Sequence, residues 1–99
     1  MNDANRFLKA ATEYLMWSTA LPTLYRRIGV ATKMSTISDA DKADLLAVND
    51  RIKDLIQRAG KAVEAENADD LFAVANELRN EIVNANLILD RLKVPDAEP

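Results

Sequence analysis

The chain has 99 residues, 48% hydrophobic and 29% charged, with a net charge of −3. That length supports one domain of modest stability, and the apolar share is too high for a disordered segment. Cys and His are both absent, which excludes disulfides, thiolate chemistry, the usual imidazole base and the usual nitrogen ligand of a metal site.

Only two Gly and three Pro occur, while Ala and Leu are abundant. This is a helix-forming composition with little turn chemistry for a β-protein, and it predicts an all-α fold. Charge is uneven along the chain. Residues 1–37 carry five basic and two acidic side chains, net +3, and residues 38–99 carry eight and fourteen, net −6. The acidic half argues against nucleic-acid binding.

In the first segment, Phe7, Ala11, Tyr14, Ser18 and Leu21 fall on one helical face, with Leu8 and Leu15 beside it. Arg6, Lys9 and Glu13 fall on the other, and that side continues as Met16, Trp17 and Ala20. The helix thus starts amphipathic and becomes apolar nearly all round. Pro22 is expected to break it. Leu24 to Ile28 reads as a short second helix closed by Gly29, and Thr32 to Ser38 as a connector.

Ser38 is a cap followed by Asp39 and Asp41 in a first helical turn. Leu45, Val48, Ile52, Leu55, Ala59 and Ala62 then recur with alternating spacings of three and four, one seam of a coiled-coil-like contact. Leu71, Ala75, Leu78, Ile82, Ala85, Leu89 and Leu92 form a second seam, and Pro95 stops it. No Gly or Pro separates the two. Extending the first seam, however, would put Asp69, Ala73, Asn76 and Asn80 in the core, so the phase jumps by two residues. A turn near Glu66–Asn67, with Asn67 capping the next helix, accounts for the jump. Folding there sets Ile52 opposite Ile82, Leu55 opposite Leu78 and Ala59 opposite Ala75. The expected fold is a three- to four-helix bundle built on an antiparallel hairpin, about 39–66 and 68–93, with the N-terminal helix packed at the hairpin's open end. Residues 1–37, 38–94 and 95–99 would be the N-terminal segment, the hairpin and a frayed tail of one domain.

The longest uncharged run, Tyr14 to Tyr25, is interrupted by Pro22 and falls short of the roughly 20 residues a membrane span needs. With an N-terminus unlike a signal peptide, the expected setting is cytoplasmic. No carboxylate stands in a seam and no His activates a serine, so enzymatic activity and cofactors are not expected. The surplus of apolar residues points to a protein partner, a second copy making a dimer being the simplest. Met16, Trp17, Leu21, Leu24, Tyr25 and Leu87 are the expected contact residues, since Trp and Met suit such surfaces. The alternative is a small anion such as a nucleotide, held by Arg26, Arg27 and Lys33. Two further features stand out. Asn76, Asn80 and Asn84 form a polar row suited to a solvent face or a partner helix. Gly60, beside Ala59 and Ala62, would admit a close neighbour.

Overall fold

The structure is a computed structural model and describes residues 3–95. Among these the chain is all helix and turn: α1 (Asp3–Ser18), α2 (Leu21–Lys33), α3 (Asp39–Glu64) and α4 (Ala68–Arg91). They form an elongated bundle of 52 × 22 × 19 Å. The tail expected at residues 95–99 lies, beyond Pro95, outside the described residues.

The hairpin is α3 and α4. At its start the Asp41 backbone N–H donates to Ser38 Oγ at 3.1 Å, the expected cap. The first seam is buried as a row from Leu45 to Ala62. The second is buried from Leu71 to Leu89, with Val74 added. Burying each large aliphatic side chain stabilises by roughly 1.5–3 kcal/mol, so these two rows are a major support of the fold. Ion pairs along its outer edge, Arg51–Glu81 at 2.9 Å and Arg91–Asp41 at 3.7 Å, agree with the antiparallel register of the seams.

The turn lies where the phase jump placed it. Asn67 donates its N–H to the Ala62 carbonyl at 2.8 Å, and Glu66 donates to Val63 at 3.1 Å. The Asn67 side chain then accepts from the Asp70 N–H at 3.0 Å. The end of α4 repeats the device: Val94 donates to Leu89 at 2.9 Å and Lys93 to Asp90 at 3.0 Å. Both are six-to-one terminations that need one left-handed residue. They draw the last residues of each helix into the turn, so the helices end at Glu64 and Arg91 rather than 66 and 93.

The left-handed residues are Glu66 (φ 51°) and Lys93 (φ 58°), while neither glycine has positive φ. Gly29 and Gly60 instead sit inside helices, with open space where a Cβ would be. Among the described residues, no neighbouring element comes within 4 Å of a Cβ placed at Gly60. Glycine here costs helix stability without serving a turn, and a left-handed Glu strains against its own Cβ. Gly60→Ala is therefore expected to stabilise by about 1 kcal/mol and Glu66→Gly by about 0.5–1 kcal/mol, the latter reduced by the freedom glycine adds to the unfolded chain. Urea midpoints of the two single variants check this, and a drop in either would contradict the local geometry.

The N-terminal half departs from expectation in three ways. The break falls at Thr19–Ala20, and Pro22 lies in the first turn of α2. A proline inside a helix clashes with the carbonyl four residues earlier, which here belongs to Ser18, so the chain must leave the helix ahead of the ring. Next, α2 runs through Gly29 to Lys33, because Leu24, Ile28 and Ala31 carry one buried face across it; the connector shortens to residues 34–38, and Ile37 within it is buried. Finally, α1 does not pack at the open end of the hairpin. Arg6 pairs with Asp69 in the first turn of α4, whereas Arg27 of α2 pairs with Asp90 near the end of α4. The N-terminal half therefore runs parallel to α4 along its length. α2 fills the open end against both α3 and α4, and α1 leans on α4 without a comparable contact to α3.

Candidate functional site

The face of α1 held against α4 is built from Phe7, Ala10, Tyr14 and Trp17. Ala10 is buried and the three aromatics are partly buried against the core. Compared with the sequence expectation, the helix is turned toward Ala10 and Trp17. That rotation puts Leu8 (66% exposed), Leu15 (59%) and Met16 (54%) into solvent.

The six expected contact residues separate accordingly. Met16 and Tyr25 are exposed, and Leu87 on α4 is 60% exposed. Trp17 is half-buried against the core. Leu21 and Leu24 are core residues, because α2 presents that side to α3 and α4. The structure adds Leu8 and Leu15 to the exposed set. Their signal was in the sequence as Leu8 and Leu15, each one residue past a member of the Phe7–Ala11–Tyr14 row.

The basic trio is split by burial, with Arg27 turned into the fold and Arg26 and Lys33 exposed. The Arg27 side chain is 7% exposed. It donates from Nη1 to Asn86 Oδ1 at 3.0 Å and from Nη2 to Asp90 Oδ1 at 2.8 Å and to the Val94 carbonyl at 2.9 Å. It joins α2 to the end of α4 and to the turn that follows. Arg26 reaches only as far as Thr23 Oγ1 at 3.5 Å among the described bonds, and both it and Lys33 are exposed.

Asn76, Asn80 and Asn84 are exposed on the outer face of α4, with Val83 and Leu87 between and beyond them. A shallow groove between α3 and α4 is lined by Arg51, Asp54, Leu55, Glu77, Asn80 and Glu81. Its charges pair in part: Arg51 meets Glu81, and Arg58 donates to Glu77 at 2.7 Å, while Asp54 leaves the lining net negative. Exposed pairs of this kind contribute about 0–1 kcal/mol each.

Tyr14 and Tyr25 come together across the bend. Burial pushes the Tyr14 hydroxyl up from its ordinary pKa, and the neighbouring Tyr25 adds to it; burial raises Tyr25 as well. Both hydroxyls stay neutral at physiological pH.

Among the described residues, no group of three or more His, Cys, Asp or Glu is placed to hold a metal ion, and no helix is long and apolar enough to cross a membrane. What the arrangement offers is surface: one apolar helix face on α1 and one uncharged face on α4. No protein-family model matches the chain, and no curated protein or solved structure matches it.

Proposed function

We propose that this chain is a small non-enzymatic helical interaction module that works in the cytoplasm, associates with itself, and uses the outer face of α1 as its working surface. One observation carries the reading. Leu8, Leu15 and Met16 are more than half exposed on a helix whose opposite face α4 already holds. Large apolar side chains grouped on one exposed face are the usual mark of a protein contact. Of the residues expected from sequence, Met16 belongs to this surface, at its edge beside Lys9 and Glu13. Leu87 belongs to the separate face of α4. A nucleotide-like ligand at Arg26 and Lys33 has less support, since Arg27 is committed to the fold.

Light scattering after size exclusion at tens of micromolar tests the reading. The wild type is expected well above the 11.0 kDa of one chain, and the Leu8→Glu/Leu15→Glu double variant at the monomer mass with unchanged helicity. A wild type that runs as a monomer, or a double variant that still associates, would sink the claim for this face.

A further inference from the structure

We infer that Arg27 sets the register in which the N-terminal half lies on α4, and that without its hydrogen bonds the arm made of α1 and α2 slides along α4 by one helical turn.

Apolar packing leaves this register open. α2 presents Leu21, Leu24, Ile28 and Ala31 as one buried row. α4 buries Leu71, Ala75, Leu78, Ile82, Ala85 and Leu89, again at spacings of three and four. Rows of such spacing interlock anew after a slip of about one turn, because each large side chain then meets the next apolar residue of the opposite row. The Arg6–Asp69 pair also marks the register, since Asp69 lies in the first turn of α4. Its side chains are 46% and 75% exposed, and exposed pairs hold weakly.

Arg27 reads the end of the helix. Its acceptors are Asn86 Oδ1, Asp90 Oδ1 and the Val94 carbonyl, at 3.0, 2.8 and 2.9 Å. The first two are side chains on α4. The third is backbone, and it is open to a side chain only at this end. Inside a helix a carbonyl is taken by the N–H four residues on. At the end of α4 the carbonyls of Ile88, Leu89 and Asp90 accept from Leu92, Val94 and Lys93. The Val94 carbonyl lies past that termination, and Val94 itself is 3% exposed, which holds the acceptor in place.

A slip of one turn toward the start of α4 sets Arg27 against Ile82, Asn86 and Asp90 and loses the backbone acceptor. A slip the other way leaves Asn86 behind. Either move leaves a guanidinium that is 7% exposed short of acceptors, a heavier loss than that of a solvated bond. The register fixed at α2 is shared by α1. Arg27 and Asp90 are 63 residues apart, and so are Arg6 and Asp69. The arm therefore stays in step with α4 across the bend, where Ala20 keeps helical angles (φ −81°, ψ −12°).

The distance between two spin labels reads the register. The chain has no cysteine, and Lys9→Cys on α1 and Asn84→Cys on α4 change exposed positions. The doubly labelled chain is measured by pulsed electron resonance after dilution with unlabelled protein, so that distances within one chain dominate. A slip of one turn changes the separation by roughly 5 Å. The parent pair is expected to give one distance. Adding Arg27→Met should give a second, displaced by roughly 5 Å, in about a tenth of the molecules or more. Leu24→Ala, which destabilises without touching the arginine's acceptors, should keep the single distance. One unshifted distance in folded Arg27→Met would overturn the inference. A second distance in Leu24→Ala would also overturn it, since lost stability alone would then loosen the arm. Should Arg27→Met not fold, Asn86→Ala removes one acceptor and keeps the arginine; a second distance there supports the register role, and a single one counts against it.

Discussion

Arg27→Ala is expected to lower the unfolding free energy by about 3 kcal/mol, a large share of what a domain this size holds. Among the described residues, the guanidinium makes three hydrogen bonds to α4 and the turn beyond it. Two of those acceptors, Asn86 Oδ1 and the Val94 carbonyl, sit in part-buried or buried bonds and would lose their donor. Bonds from a charged donor contribute about 1.5–3 kcal/mol each in the net, less where the partner reaches water, and Asp90 is 68% exposed. Its ion pair is therefore the least of the three. Arg27→Met separates the contributions, because it keeps the apolar stem and removes the donors. It should recover about 1 kcal/mol of the loss. Arg27→Lys should not restore the rest, since an ammonium cannot reproduce the fork that reaches Asn86 and Asp90 together. Chemical unfolding followed by helicity gives all three values. A loss below about 1 kcal/mol for Arg27→Ala, the scale of an exposed pair, would mean that the clamp does not hold in solution.

A pair of leucines makes the second large prediction. Leu24→Ala should cost about 2–5 kcal/mol, because the side chain is 1% exposed and fills the junction of α2 with the hairpin. Leu15→Ala, nine residues earlier, should stay within about 0.5 kcal/mol of wild type in the monomer. Self-association should weaken in Leu15→Ala and not in Leu24→Ala at temperatures where both are folded. The crossed outcome, a stability loss at Leu15 and none at Leu24, would reverse the assignment of core and surface.

The hairpin was legible because its signal is redundant. Two seams of six and seven residues each fix a phase, and the jump between them locates the turn even without Gly or Pro. Asn67 then marks the cap. The N-terminal half carried weaker signals. Pro22 marks the far edge of a break, since its ring acts on the carbonyl four residues back, and the sequence alone does not place the bend within that window. Gly29 read as a stop, but burial of Ile28 and Ala31 outweighs a local glycine penalty of about 1 kcal/mol. The exposed stripe was hidden by abundance. α1 carries apolar residues on two sides, and only the position of α4 decides which side is core. Arg27 was not legible either. Its partners lie 59 to 67 residues away, and nothing in an Arg-Arg pair tells which one turns inward.

The parallel course of α1 and α2 beside α4 has a consequence for biosynthesis. On the ribosome α1 and α2 emerge before α3 and α4, so the surface that covers them is made after them. Until α4 is complete, Leu21, Leu24 and Ile28 have α3 alone to bury against, and Phe7, Tyr14 and Trp17 have nothing comparable. The hairpin can close on itself as soon as it is out, through contacts near in sequence, whereas docking the N-terminal half must close a loop spanning most of the chain. The nascent α1 and α2 are thus at their most adhesive in the interval before α4 is made.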